Sequence, residues 1–407
     1  MRFYLILAWR NLWRNKKRSF ICLLSIILAL ILALFMRSLQ RGAYGNMIKG
    51  GVRQVGYLQV HDSSYWENKS INYSFVFSKS LRKKVLETRN VNFILPRLES
   101  FSLISYGVHT KGVPVICSPP KEESSFSQLE NRLVKGEYLN DNDDGILIGE
   151  GLSGFLNAIV GDTVVLLGQG YQGVSSADKF VVRGIVRWPS NQLNNSFVFM
   201  TLDRGRSFFS PYVPNLVSSL SLLLQKPKQI QETKIELIKE LGSDYEIMSW
   251  DEMLKEMVQE IQADNAGGKI MLGILYLVIG FGIFGTVMMM TFERKHEMGI
   301  LLAIGMRKYR MLIVHFSELI LLAIIGVLIG IVVSLPFLFY LNKHPLPLPA
   351  DLGKLVAAYN LDPFLPFSID PWIFINQAIV VFALTLICAI YPLVVIIRLK
   401  ILQSLTY

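Results

Sequence analysis

Four apolar segments, Phe20–Met36, Ile270–Phe292, Met311–Leu341 and Trp372–Ile397, constrain this chain more than any other feature. About 20 apolar residues cross the hydrocarbon core of a bilayer. Backbone groups in lipid must satisfy one another, so each segment is expected to be a helix. The first is short, but Arg18 and Arg37 at its ends can snorkel toward water. A cleaved signal peptide is the competing reading of that segment; a 19-residue leader and the lack of an A-x-A-like site after the run argue against it. The stretch from Arg37 to Lys269 is by contrast ordinary and polar, although the whole chain has only 18% charged residues against roughly 25% in a soluble domain. The expected fold class is therefore an α-helical membrane protein with four transmembrane helices plus a large external α+β domain inserted between the first and second.

Orientation follows from lysine and arginine. Arg2, Arg10, Arg14, Lys16, Lys17 and Arg18 precede the first span; Arg294, Lys295, Arg307, Lys308 and Arg310 lie between the second and third; Arg398 and Lys400 follow the fourth. These thirteen cations face only Glu293 and Glu297, whereas the rest of the chain holds 28 cations against 29 acids. The basic excess thus belongs to one membrane face, read as cytoplasmic, with both termini inside and Arg37–Lys269 outside. Anionic headgroups suffice as partners for these charges, so the net charge of +10 is no argument for nucleic acid. Cys22 and Cys388 sit in apolar runs and only Cys117 in the polar region, which excludes a disulfide framework.

Within the polar region, β-rich runs at Tyr57–His61, Val113–Cys117, Thr163–Leu167, Lys179–Val186 and Ser196–Met200 alternate with turn residues. Two helices are expected after them. One is Ile230–Leu241; the other opens at Ser249 with Glu252 at capping-box spacing and carries Trp250, Met253, Leu254, Met257, Val258 and Ile261 as a stripe. This second helix leads almost directly into the second span, which would couple the two. The acidic run Asn140–Asp144 lacks EF-hand spacing and reads better as a solvated loop than as a calcium site.

Catalytic signatures fail one by one. Gly267-Gly268-Lys269 is the nearest string to a phosphate loop but lacks its spacing, so ATP has no cradle in this chain. His296-Glu297 starts like a zinc-protease motif, but Ile300 stands where its second histidine must be, and the five histidines are scattered. No catalytic residue, metal ligand or bound cofactor is assigned.

Two segments carry a positive signal. Between the second and third spans, charges at both ends flank an apolar middle of Met298, Ile300, Leu301, Leu302 and Ile304. This suits a short helix on the membrane face. Its apolar edge fits a protein partner or simple interfacial anchoring, and the pattern leaves both open. At the N-terminus, Leu5, Trp9 and Leu12 alternate with Arg2, Arg10 and Arg14, as in an anchored interfacial helix. Glu318, one turn from His315, is costly in a span. It lies only eight residues past Arg310, which places it near the cytoplasmic interface and weakens a proton-relay reading. Gly326 and Gly330 have a small-x-x-x-small spacing that permits close helix packing.

These residues resemble those of FtsX/MacB-type ABC transporter permeases along nearly the whole chain. The stretch from Ala8 to Arg18 (AWRNLWRNKKR) is similar to the family's N-terminal motif, and Glu293–Arg310 resembles its coupling helix (E-R-x-x-E-I-G-x-L-x-A-x-G), with Met298 for the usual isoleucine. Segments 56–61, 133–139, 148–152, 160–164, 184–186 and 194–198 look closer still to the lipoprotein-releasing, Lol-type branch. Two stretches depart: Leu393–Ile397 is apolar where the family is often basic, and Gly168–Lys179 is short where one Lol-type subunit has a carrier-docking arm.

The resemblance implies a non-enzymatic membrane subunit of the cell inner membrane with a periplasmic domain. ATP and Mg would be bound by a separate cytoplasmic ATPase dimer. A second permease, identical or related, a lipoprotein substrate, membrane lipids and a periplasmic carrier are the other implied partners. ATPase coupling would fall to Glu293, Arg294, Glu297, Met298, Gly299, Ile300, Leu301, Ala303, Gly305 and Met306. Position alone suggests Phe35, Met36, Leu39, Ile270, Met271 and Ile274 for lipid contact. Peptide or drug export through a periplasmic adaptor, and mechanical signalling to a cell-wall hydrolase or sensor, are the alternatives. Exporters of the MacB type normally carry a fused N-terminal ATPase, whereas this sequence begins at the permease. Expected segments are 1–19 interfacial helix, 20–36 first span, 37–269 external domain, 270–292 second span, 293–310 coupling helix, 311–341 third span, 342–370 external loop, 371–399 fourth span and 400–407 tail.

Overall fold

In the computed structural model, residues 2–14, 16–188, 191–349, 351–353 and 364–398 are described. The expected tail 400–407 and the middle of the expected loop, 354–363, lie outside them. The chain divides into two compact units, one of residues Met1–Gly45, Glu260–Pro347 and Phe364–Tyr407, the other of Asn46–Gln259 and Leu348–Pro363.

The first unit is built on six helices: α1 (Arg2–Arg14), α2 (Lys16–Val55), α3 (Lys255–Glu293), α4 (Lys295–Ala303), α5 (Lys308–Lys343) and α6 (Pro371–Ile397). Four of them, α2, α3, α5 and α6, are long and apolar enough to cross a membrane. The expected spans 20–36 and 270–292 are thus only parts of longer helices, and 37 and 269 are not element boundaries. Side-chain pairing explains the extra length. Beyond the apolar run, Arg37 Nη1 donates to Gln40 Oε1 and, at 3.1 Å, to Asn265 Oδ1, while the Tyr44 hydroxyl donates to Asp264 at 2.6 Å. Polar residues of α2 therefore meet polar residues of α3, and nothing in that stretch ends the backbone hydrogen-bond ladder.

Close packing of α2 on α5 depends on two glycines. A Cβ on Gly326 would lie 2.7 Å from Ile26 Cγ2, and one on Gly330 2.9 Å from Leu30 Cδ2. Ile26, Leu30 and Leu34 are fully buried there with Leu319, Leu322, Val381 and Ala389. Two short strands, Leu346–Pro347 and Phe364–Leu365, pair antiparallel within the stretch expected to be loop.

The second unit is an α/β domain with a readable topology. Its strands are β1 (Leu58–Asp62), β2 (Phe75–Val76), β3 (Val91–Tyr106), β4 (His109–Ser118), β5 (Leu133–Gly136), β6 (Ile146–Gly149), β7 (Thr163–Gln169), β8 (Ser175–Val186), β9 (Val198–Thr201), β10 (Leu216–Val217), β11 (Ser219–Leu224) and β12 (Tyr245–Ser249). Strands β12-β1-β11-β3 form an antiparallel sheet. With helices Lys79–Glu87 and Ile230–Leu241 it follows the β-α-β-β-α-β order of a ferredoxin-like unit. Leu58, Val60, Leu81, Val85, Leu220, Leu222 and Leu237 fill its core.

Everything between β3 and β11 is an insertion in that unit, and most of it closes on itself. Strand β3 pairs with β4, β4 with β9, β9 with β6, β6 with β8, β8 with β7, and β7 with the far half of β3. The result is a small six-stranded barrel, which leaves no edge among these strands. Val113, Val115, Ile148, Leu166, Phe180, Val182, Val198 and Met200 are buried in one cluster there. The sixteen-residue β3 belongs to both layers.

One local expectation changes, and the acidic loop gains detail. Glu252 accepts from the backbone N–H of Ser249 at 2.8 Å, completing the capping box, but its helix stops after Met253 because Leu254 leaves helical geometry. The stripe from Trp250 to Ile261 is therefore divided between a single turn and α3. The acidic run is held by cations: Asp141 pairs with Lys121 at 2.7 Å, Asp143 with Arg183 at 3.0 Å and Asp144 with Arg204 at 3.7 Å.

Candidate functional site

The segment Glu293–Arg310 is not one helix. It breaks at Arg294 and again after Ile304, leaving α4 as a nine-residue helix. The second break is a Schellman turn: Met306 N–H donates to Leu301 O at 3.0 Å and Gly305 N–H to Leu302 O at 3.1 Å. Gly305 sits at φ +97°, a conformation in which a Cβ is strained. The chain thereby reverses into α5, whose Lys308 ammonium donates to the Ile397 carbonyl at the end of α6 at 2.9 Å.

Helical spacing sorts α4 into two faces. Met298 and Leu302, four residues apart, are buried against Met311 and Ile396. Gly299 is buried as well. Ile300, Leu301 and Ile304 point the other way, exposed by 41%, 45% and 78%. Ala303 and Gly305 share that exposure, and Met306 is half-buried. Glu297 is exposed and paired with Arg14 of α1.

Arg294 departs from the expectation of a surface contact: it is only 4% exposed. Its guanidinium pairs with Glu318 of α5, which is fully buried, and Nη2 donates to the Asn11 carbonyl of α1 at 3.4 Å. His315 completes the cluster. Its Nδ1 lies 3.8 Å from Glu318, and its Nε2 is 3.3 Å from the Thr291 hydroxyl. One arginine at the α3–α4 break thus ties α1 to α5. Three buried atoms of the cluster, Arg294 Nε, His315 Nδ1 and Glu318 Oε1, have no hydrogen-bond partner. The same three residues line a recess of about 450 Å³ together with Asn11, Arg14, Glu297 and Leu301. Sequence reasoning placed Glu318 near an interface but missed its partner, because the two lie 24 residues apart on different helices.

The six expected lipid-contact residues divide. Phe35 stacks on Phe337, with ring centroids 6.3 Å apart, and meets Phe367 at a tilt, 5.0 Å away, while Leu39 packs against the buried bundle. Met36 is half-buried, whereas Ile270, Met271 and Ile274 on α3 are exposed.

Comparison with known proteins agrees with this layout. Residues 269–401, from most of α3 onward, match the FtsX-like permease C-terminal family. The chain is 22% identical over 328 residues to the lipoprotein-releasing system transmembrane protein LolE of Haemophilus influenzae, covering 77% of each. It is 21% identical over 342 residues to an uncharacterized ABC transporter permease of Methanocaldococcus jannaschii, covering 81% of this chain and 82% of the relative. Among solved structures, the periplasmic region of MacB from Actinobacillus actinomycetemcomitans matches 51% of this chain and 95% of that one at 12% identity and a TM-score of 0.35. The extracellular domain of YknZ from Gram-positive bacteria matches 47% and 99% at 12% identity and a TM-score of 0.34. At such scores the fold rests on the strand pairing itself.

Proposed function

We propose that this chain, whose residues 269–401 match the FtsX-like permease C-terminal family and which is similar over most of its length to ABC transporter permeases, is itself such a permease and delivers the work of a separate cytoplasmic ATPase to the release of lipoproteins. The observation that carries the coupling is α4: a short helix whose inner face is clamped by Met311 and Ile396 while Ile300, Leu301 and Ile304 stand in solvent. An apolar ridge on a braced helix fits a groove on a partner. The ATPase dimer docks there, with Glu293, Glu297, Ala303, Gly305 and Met306 at or beside the contact and Arg294 holding the helix from behind. ATP and Mg stay on that partner.

The charge asymmetry supports placing both termini and α4 in the cytoplasm and the α/β domain in the periplasm. Likeness to LolE supports a lipoprotein as cargo, drawn from the outer leaflet of the inner membrane toward a periplasmic carrier by a pair of permeases. Power is needed: at about 0.8 kcal/mol per buried CH₂, one acyl chain of about sixteen carbons resists extraction by roughly 12 kcal/mol. The exposed α3 residues Ile270, Met271 and Ile274 are available to acyl chains. Phe35, Met36 and Leu39 are half-buried and offer acyl chains less surface. Export of a peptide or drug, or mechanical signalling, would use the same coupling with different cargo.

The test is Ile304→Asp, which puts a charge on the most exposed residue of the apolar ridge, away from both the buried face and the recess. Co-purification of the ATPase should fall at least tenfold while the variant keeps its fold. Retention of the ATPase would overturn the docking assignment. Depletion of the unmodified protein separately tests the cargo: lipoproteins that remain correctly sorted would remove the release reading and leave the docking intact.

A further inference from the structure

We propose that the groove between α1, the start of α2 and the middle of α5 binds an anionic glycerophospholipid. The groove has a volume of about 540 Å³. Leu23, Leu322 and Ile325 line it, Trp9 and Trp13 wall one side, and Lys16 and Lys17 stand at its rim. Leu322, Ile325 and Ile329 follow the i, i+3, i+7 spacing of one helix face, giving an apolar track along α5. Among the lining polar groups, the Ser19 hydroxyl donates to the Leu12 carbonyl at 3.0 Å. Both lysines are exposed at the rim, and among the described residues no acid lines the groove.

These features fix the occupant's chemistry. Lys16 and Lys17 open α2, while Leu23 lies about two turns further into the span. A molecule seated here has its anionic end at the headgroup level and its chain along Leu23 and Ile325, as a phospholipid has. The wall is preformed: Trp9 and Trp13 meet edge-on at 6.0 Å between centroids, Lys16 lies 6.0 Å from the Trp13 ring centre, and the Ser19–Leu12 bond joins α1 to α2. Zwitterionic lipid fits the track equally well but gains less from the lysines, each worth about fivefold in occupancy. The assignment is independent of what the transporter moves.

Bromine on an acyl chain quenches nearby tryptophan, so the full chain can be reconstituted in phosphatidylcholine vesicles doped with brominated phosphatidylglycerol or brominated phosphatidylcholine at equal mole fraction. The contribution of Trp13 is the difference between the unmodified chain and Trp13→Phe. That contribution should be quenched several-fold more at low doping by the glycerol lipid, and Lys16→Gln with Lys17→Gln should abolish the preference. Equal quenching by the two lipids in the unmodified chain would reduce the groove to ordinary bilayer contact and overturn the proposal. So would a preference that survives in the double variant.

Discussion

Each unit of this molecule buries an arginine against a glutamate, and the two pairs are built differently. In the α/β domain Arg97 grips Glu123 with both arms of its fork, Nε to Oε2 at 3.0 Å and Nη2 to Oε1 at 2.7 Å. Its remaining nitrogen donates to the Gln54 carbonyl in the last turn of α2. Ser118 donates to the same carboxylate at 2.7 Å. Burial pushes the Glu123 carboxyl up, but the Arg97 guanidinium and the serine hydrogen bonds outweigh it and hold the group below the usual carboxylate range. In the helical unit Arg294 meets Glu318 with one arm, a buried atom of each is left without a partner, and the two residues line a recess. Bidentate, fully satisfied charge pairs specify one geometry. A half-satisfied pair beside open space tolerates several. The first pair is a lock that fixes a helix end, and the second is a joint at the point where α3 gives way to α4.

Removing the carboxylates tests this contrast directly. Glu123→Ala strands a buried guanidinium and should cost about 3–5 kcal/mol, read from urea unfolding of the full chain through Trp188 emission. A loss under about 1 kcal/mol would mean the lock is ornamental.

A pH titration sharpens the same side of the comparison. His61 Nε2 donates to Gln59 Oε1 at 2.7 Å, because the Gln59 amide is already committed as donor to Val55 O and Ser221. The other ring nitrogen, Nδ1, is buried with no acceptor, and burial, helped by Lys69, lowers the imidazole from 6.5 to about 4. The unfolded chain takes up this proton first, so stability is present above pH 6.5 and is lost as pH falls toward 4. The loss should reach about 3 kcal/mol. Glu123 acts in the same direction at lower pH. His61→Gln should flatten the profile between pH 6.5 and 4; an unchanged profile would assign the acid sensitivity elsewhere.

The joint should yield less. Glu318→Gln keeps the shape and admits water to the recess, so we expect about 1–2 kcal/mol in thermal melts, accompanied by weaker coupling of ATP hydrolysis in the partner. A cost equal to that of Glu123→Ala would erase the distinction between the pairs. Gly305→Ala is the mildest change, about 1 kcal/mol for a Cβ at positive φ; a neutral result would show that the Schellman turn bends without strain.

What the sequence disclosed depended on range. Apolar length, the Gly326/Gly330 spacing and the Ser249–Glu252 cap are local signals, and each has a counterpart in the fold. The interior of the site was hidden because Arg294 reads as one more cation in a basic loop until α5 brings Glu318 to it. The helices expected to end at Met36 and to begin at Ile270 run further because hydropathy registers only the lipid-length portion; the pairing of Tyr44 with Asp264 lies outside that window. The barrel escaped notice because its closure joins β7 to the far half of β3, about sixty residues away. Pro96 also discourages reading Val91–Tyr106 as one strand.

That long strand sets a rule for changes to the domain. Residues Val91–Arg97 pair with β11 and residues Leu98–Tyr106 with β4, so both layers count their alternation from one ruler. Adding a single residue at Arg97 would leave the ferredoxin-like half in step and turn every inward side chain of the barrel half outward. Length variation can accumulate in the loops, but at this junction only an even number of residues preserves both interiors.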